Sequence, residues 1–337
     1  MRAVVIEQPG TVSVQQVDDP TAGPREVVVK VEACGICGTD LHLLEGESPL
    51  ARYPLVPGHE FCGEVVEVGK GVEYLKVGDF VAIDPNLPCG HCHYCQAGRE
   101  NLCENYEAIG VTVPGACAEL VAAPAANAVL LPADLPRAWG TLVEPLSCAV
   151  HGFDRLGAKL ADRYLIYGAG TMGLLMAQLA QRDGAITVDV VDLKESRLPV
   201  AKRLGADRTA TSAEELDRRQ GWEVVIDATG VVRAIEDGLG RVARGGTFLM
   251  FGVTPAEATA TFSPFRIYNE ELNVIGSMAV LHSFERARDL LVAGVIDAAA
   301  MITHTVALEN YEAAIAAFRS GAGLKIQVTP ATDGQTR

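Results

Sequence analysis

The stretch ACGICGTDLH, Ala33 to His42, places two cysteines, an aspartate and a histidine within ten residues. Such a set suits a CxxC redox pair, half of a zinc knuckle, or one corner of a metal site completed elsewhere in the chain. A second cluster, PCGHCHYCQAGRENLC, is more specific. Cys89, Cys92, Cys95 and Cys103 have the spacing C-x2-C-x2-C-x7-C. Four thiolates so spaced can close a tetrahedron around Zn2+ with no open position, which makes a structural site. Gly90 and Gly98 let the backbone turn around the metal, and His91 and His93 are expected at the surface because the thiolates complete the shell. An iron–sulfur cluster normally places its fourth cysteine differently.

A third motif is Gly168-Ala169-Gly170-Thr171-Met172-Gly173, a G-x-G-x-x-G that follows the apolar run RYLIYG and opens a helical pattern, the context that a dinucleotide fingerprint requires. Gly168 allows the tight turn, Gly170 lets the backbone approach a pyrophosphate, and Gly173 allows close helix–strand packing. The helix N-terminus adds partial positive charge. Asp192 ends the next strand, VDVVD, 24 residues after Gly168. A carboxylate there suits both ribose hydroxyls and favours NAD over NADP. Lys194 and Arg197 soften that preference. Arg197 and Thr229, beyond the strand EVVIDA, complete the expected cofactor-binding set.

The elements that must position these residues divide the chain. At 337 residues, two domains are the default. The first ~140 residues read as β-rich, with EVVVKVEA, GEVVEVG and VGDFVAI as short Val-rich strands between glycine turns. From near Pro145 to about 280 the pattern is strand, glycine turn, helix, strand: GLLMAQLAQR and ESRLPVAKRLG are helical, while ITVDVVD, EVVIDATG, GTFLMFG and LNVIGS are buried strands. That alternation signals a parallel doubly wound sheet. The last part, 284–337, holds the helices FERARDLLVAG and LENYEAAIAAFRSG, the strand KIQV and a loose tail, TPATDGQTR.

Acids outnumber Lys and Arg by 43 to 28, a net charge of −15. Such a field repels nucleic acid and anionic membranes, so neither is expected as a partner. MRAVVIEQPG carries no secretory pattern, so the protein is expected in the cytoplasm. Nine cysteines, an odd number, argue against a disulfide framework. Cys62, Cys117 and Cys148 read as small buried apolar residues.

Beside a nicotinamide site, ACGICGTDLH needs partners. PGHEFCGEV offers His59 and Glu60, and LVEPLSCAVH offers Glu144. A catalytic zinc takes about three protein ligands and an exchangeable position. Cys37, His59 and one or two carboxylates would supply that, although no spacing rule proves that these segments converge. Taken together, Cys37-Gly38-Thr39-Asp40-x-His42, Gly58-His59-Glu60, the four-cysteine lobe, Glu144-Pro145-Leu146-Ser147 and the Gly168 fingerprint resemble the zinc-dependent medium-chain dehydrogenases, from residue 1 to about 329. GHE followed by EPLS looks most like the sorbitol/polyol branch, as do Thr303-His304 and Gly323-Leu324-Lys325-Ile326.

The resemblance implies an α/β fold: a GroES-like β-barrel catalytic domain from 1–145 and 283–337, with a structural zinc lobe at 86–105, and a Rossmann NAD-binding domain at 146–282. It implies two zinc ions per chain, with Cys37, His59 and Glu60 on the catalytic ion and Glu144 as a fourth ligand or holding water. Asp40 would hydrogen-bond the far nitrogen of His59. Thr39 would take the substrate hydroxyl proton and His42 would pass it to solvent. The substrate would be an alcohol or polyol, the cofactor NAD rather than NADP, and the assembly a dimer or tetramer. Glu144 could instead only favour its own helix N-terminus. Cys34 is expected to pack at a strand end, with Gly35 and Gly38 letting the chain turn so that Cys37 faces its partners.

Two rivals remain. A zinc-free reductase of the same superfamily would lack the Cys37, His59 and Glu60 set. A non-catalytic NAD-binding redox sensor would switch through Cys34 and Cys37. Two departures bear on the substrate: sorbitol dehydrogenases typically carry a Tyr where this chain has Leu43, and an Arg-Tyr pair where it has Ser277-Met278-Ala279-Val280. Those residues help hold polyol hydroxyls. SPFRIYNEELNVIGS resembles bacterial members associated with pentitols.

Overall fold

The Val-rich alternation of EVVVKVEACGI produces an 11-residue strand, Glu26–Ile36, that pairs on both sides. The computed structural model describes residues 1–330; the tail from residue 331, expected to be loose, lies outside the described residues. One compact unit comprises Met1–Ser147, Val280–Ala293 and the chain from Ala298, and the other comprises Cys148–Ala279 with Gly294–Asp297.

In the first unit, Glu26–Ile36 pairs antiparallel with Glu60–Val68, from Val27 opposite Val68 to Gly35 opposite Glu60. Its last residues pair with Lys325–Thr329, Ile36 lying opposite Ile326, and its first half pairs with Leu120–Pro124. Phe80–Ile83 and Ala128–Leu130 extend the sheet on one side and Ile302–Ala307 on the other. Val27, Val29, Val31, Val65, Val81, Ile83, Ile326 and Val328 form the core with Leu308, Tyr311 and Ile315. Each such aliphatic side chain contributes roughly 1.5–3 kcal/mol on burial. Cys34, Cys62 and Cys117 are fully buried and Cys148 partly so, none of them in a disulfide.

In the second unit, six described strands run parallel. Arg163–Tyr167, Thr187–Val191 and Arg208–Ala210 build outward to one edge, and Trp222–Asp227, Val242–Met250 and Asn273–Gly276 to the other. The order therefore reverses between Arg163–Tyr167 and Trp222–Asp227, where Tyr167 lies opposite Asp227. Ligands of open α/β sheets bind outside the carboxyl ends of the strands at such a reversal. The helix Thr171–Arg182 buries Leu174, Leu175, Met176, Leu179 and Ala180, as the helical period of GLLMAQLAQR predicts. Among the described residues no helix is long and apolar enough to cross a membrane.

Candidate functional site

Cys37 directly follows the strand Glu26–Ile36 and caps the helix Gly38–Glu45. The Thr39 N–H donates to the Cys37 thiol at 3.3 Å, and the Cys37 N–H donates to Asp40 Oδ2 at 2.9 Å. The motif is a capping box with sulfur in the place of the usual hydroxyl. The helix N-terminus then faces the sulfur with its positive end, which favours thiolate.

Gly58 carries φ +101°, and a Cβ there would meet Cys34 Sγ at 2.6 Å and Cys117 Sγ at 2.7 Å. That turn delivers His59 and Glu60 at the head of the next strand. His59 Nε2 lies 3.2 Å from Cys37 Sγ. One ligand atom each from Cys37, His59 and Glu60 falls within 4.8 Å of the others, His59 and Glu60 being buried. Three mutually close N, S and O donors, 22 residues apart between Cys37 and His59, fit a borderline-soft cation such as Zn2+. With only the chain's own groups counted, burial works against the His59 imidazolium. The charges of Cys37, Asp40 and Glu144 nonetheless raise its pKa well above the ordinary 6.5. Burial raises the Cys37 thiol from its usual 9.0, with the carboxylates of Glu60 and Asp40 adding to the rise.

Glu144 stands in the first turn of the helix Val143–Leu156. Its charge acts on both His59 and Lys325, but it is not in the close trio. The expected bond between Asp40 and the far nitrogen of His59 is not made. Asp40 spends Oδ2 on the cap, and Asp40 Oδ1 and His59 Nδ1 are both buried with no hydrogen-bond partner among the described residues. Thr39 is half-buried one residue after the helix start, and His42, 36% exposed three residues later, meets Glu47 at 2.7 Å.

Three features escaped sequence reasoning. Lys325, only 1% exposed, pairs with Glu60. Gly35 lies inside its strand and has no positive φ, so its role is not a turn; it makes room for the Glu60 carboxylate. The Tyr311 hydroxyl is buried without a partner among the described residues and feels the Asp40 charge. The pairing of Gly35 with Glu60 could have been found only by knowing the strand register.

The four-cysteine lobe forms as its spacing implies: Cys89, Cys92, Cys95 and Cys103 place their sulfurs within 4.8 Å of one another. Cys92 Sγ lies 3.5 Å from Cys95 Sγ and 4.0 Å from Cys103 Sγ. Zn–S bonds of about 2.3 Å in a tetrahedron imply edges of ~3.8 Å, so the donors fit zinc. The His91 N–H pulls the Cys89 thiol down to about 6, with Cys92 N–H and the Asn105 side chain helping. Burial and the neighbouring Cys92 push Cys95 up to about 12. His91 and His93 are exposed and outside the ligand group.

In the second unit, Gly168 (φ +102°) makes the turn after Tyr167, and a Cβ on Gly173 would lie 1.8 Å from the Gly168 carbonyl oxygen. A Cβ on Gly170 would meet only Arg197 Nη1 within 4 Å, at 3.9 Å. That leaves room over the loop for a phosphate, and Thr171 and Met172 begin the helix there. Asp192 accepts from the Ala169 N–H at 2.8 Å and the Lys194 N–H at 2.8 Å, with Arg197 at 3.4 Å. Thr229 is exposed beside Gly168 and bonds Asp227. Leu193, 88% exposed directly after Asp192, is an apolar surface where an adenine ring could lie.

The alcohol dehydrogenase GroES-like domain family matches residues 23–133, and the zinc-binding dehydrogenase family matches residues 171–293. The chain is 39% identical to D-arabinitol dehydrogenase 1 of Uromyces fabae, over 98% of this chain and 97% of that protein. It is 36% identical to L-threonine 3-dehydrogenase of Thermococcus kodakarensis, over 94% and 93%. A structure described as a zinc-binding dehydrogenase from Sinorhizobium meliloti 1021, bound to NADP, superposes with a TM-score of 0.95 at 38% identity, covering 98% of this chain and 99% of that one.

Proposed function

The chain belongs to the zinc-type medium-chain dehydrogenases, oxidoreductases acting on CH–OH groups, and on that premise we propose that it oxidises a secondary alcohol of a polyol, of pentitol size, to a ketone. The observation that carries the reading is the meeting of Cys37, His59 and Glu60 within 4.8 Å in a chain that also builds a Gly168 dinucleotide loop. The substrate carbon would give a hydride to a bound nicotinamide, and its hydroxyl would give a proton to solvent. Cys37, His59 and Glu60 would hold a zinc ion, which would supply a Lewis acid for the hydroxyl.

The chain's own residues do the rest. Thr39 accepts the hydroxyl proton, and His42, one turn further along the same helix face, passes it on beside Glu47. Glu144 adds negative charge near His59 and serves as fourth ligand or water holder. Cys89, Cys92, Cys95 and Cys103 would hold a second zinc, which would fix that loop. Gly168, Gly170, Thr171, Met172 and Gly173 cradle the pyrophosphate, while Asp192 takes the ribose hydroxyls, with Arg197 and Thr229 alongside. NAD is the preferred cofactor on the strength of Asp192. The NADP-bound relative makes NADP the competitor to run in parallel. The open sheet edge at Asn273–Gly276 would pair subunits of a homo-oligomer, and an odd number of cysteines, nine, suits a cytoplasmic protein better than a disulfide framework.

Similarity to D-arabinitol dehydrogenase supports the pentitol reading. Leu43 is fully buried against Ile6 and Leu55, so the position where sorbitol dehydrogenases carry Tyr offers no hydroxyl to a substrate. Threonine is the second reading, supported by the threonine dehydrogenase relative. The test is NADH or NADPH formation across pentitols, hexitols, threonine and simple secondary alcohols. Highest kcat/KM on a pentitol is expected. Turnover surviving complete removal of zinc would sink the mechanism, and preference for threonine would sink the substrate class.

A further inference from the structure

A lysine and a glutamate meet over a glycine in three adjacent strands. Lys325 opens Lys325–Thr329, Glu60 opens Glu60–Val68, and Glu26–Ile36 runs between them. Gly35, on that central strand, lies directly opposite Glu60. A Cβ there would be 2.2 Å from Glu60 Oε2, so only glycine leaves space for the carboxylate. Lys325 Nζ donates to Glu60 Oε2 and, at 3.4 Å, to the Ile36 carbonyl. The two side chains are only 2% and 3% exposed.

Taking an ammonium out of water is costly, and a buried ion pair often contributes little net stability. Both partners of Lys325 Nζ are acceptors, a carboxylate and a carbonyl, as an ammonium requires. A fixed cation therefore stands beside a donor trio suited to a metal cation. Like charges repel, so this lysine opposes metal affinity rather than serving it. What it offers in return is control of Glu60, a carboxylate with two oxygens and a choice of how many to give.

We propose that Lys325 is a positioning residue for the catalytic metal: by holding Glu60 Oε2 it restricts Glu60 to one-oxygen ligation and keeps a coordination position for the substrate hydroxyl. The inference rests on the zinc-dehydrogenase reading. Without Lys325, Glu60 would close on the metal with both oxygens. The metal would be held more tightly, its coordination number would rise, and its Lewis acidity would fall because the surrounding negative charge is no longer offset.

The test uses the full-length protein with cobalt(II) exchanged for zinc, comparing wild type, Lys325→Met and Lys325→Arg. Lys325→Met is expected to bind the metal of the trio at least tenfold tighter in chelator competition. Its cobalt ligand-field absorption should weaken, as it does when coordination rises above four, and kcat should fall at least tenfold. Lys325→Arg, which keeps the cation, should restore the spectrum and the affinity. The metal retained by the four-cysteine lobe reports that each variant is folded. A Lys325→Met protein with an unchanged cobalt spectrum, or with looser metal, would overturn the proposal. Wild-type protein taking up cobalt only in the four-cysteine lobe would overturn the metal reading itself and this inference with it.

Discussion

Cys37 and Asp40 cap one helix turn between them: the Cys37 thiol accepts from the Thr39 N–H, and the Asp40 carboxylate accepts from the Cys37 N–H. The thiol that faces His59 is thus held by its own helix, whereas Cys34, three residues earlier, lies 3.9 Å from Cys117 in the core. The two cysteines of the CxxC should therefore separate cleanly. Cys34→Ala keeps about two zinc per chain, and Cys37→Ala keeps about one, as the two donor groups imply. Metal analysis of purified protein reads this directly, and equal loss in both variants would mean that the pair acts as a unit.

Removing the cap acts through the ligand. Asp40→Ala deletes a capping acceptor, a loss of about 1 kcal/mol. It also removes a carboxylate whose charge acts on His59, and less negative charge beside the trio should weaken its hold on a metal cation. Chelator competition and thermal melting together check this, and a variant with lowered melting temperature but full zinc affinity would confine Asp40 to the helix.

Zinc uptake by the trio should release protons. The His59 pKa is raised above 6.5 and the Cys37 pKa above 9.0. Without metal, the stability that protonated His59 provides is present below 6.5 and lost as pH rises through its higher folded value. Protonated Cys37 follows the same sense from 9.0 upward. Near neutral pH the folded trio therefore holds at least one proton that the metal must displace. Apparent zinc affinity falls as pH falls, and calorimetry in buffers of different ionisation enthalpy should report at least one proton released per metal. Release of none would refute the assignment of these donors.

The parts legible in the sequence were those whose residues are neighbours in the chain. The four cysteines span Cys89 to Cys103, and Gly168 to Gly173 is one loop, so local spacing alone carries their chemistry. The strands show in Val-rich alternation because one face of each packs on a core. The trio of Cys37, His59 and Glu60 was different. His59 reaches Cys37 only through the register of two strands, and Lys325 is 265 residues from Glu60. Spacing cannot encode such contacts, and resemblance to a family supplied what it could. Even that gave Lys325 no role and gave Gly35 the wrong one, because a glycine that makes room reads the same as a glycine that turns.

Asp84 offers a test of burial away from the metal. Burial pushes its carboxyl up to about 6, against the Asn86 hydrogen bonds and His282, which lower it. The folded pKa lies above the unfolded 3.8. The protonated acid therefore favours the fold fully below about 3.8, and that contribution is lost as pH rises through about 6. A shift of ~2 units corresponds to roughly 3 kcal/mol at most. Asp84→Asn keeps an acceptor for the Asn86 N–H and removes the charge. Its melting temperature should rise at pH 7.5 and change little at pH 4; a gain equal at both would point to packing rather than charge.

Gly170 and Gly173 stand three residues apart and should fail in different ways. A Cβ at Gly173 would strike the Gly168 carbonyl at 1.8 Å, whereas one at Gly170 meets only the end of Arg197 at 3.9 Å. Gly173→Ala must therefore move the helix Thr171–Arg182 off its strand, lowering the melting temperature as well as cofactor binding. Gly170→Ala leaves the protein's own packing alone and intrudes where the pyrophosphate would approach the backbone. It should melt like wild type while its Kd for NADH, read by fluorescence, rises at least tenfold. Unchanged NADH affinity in Gly170→Ala would mean that the dinucleotide does not lie over this loop, and the assignment of the second unit would then need another site.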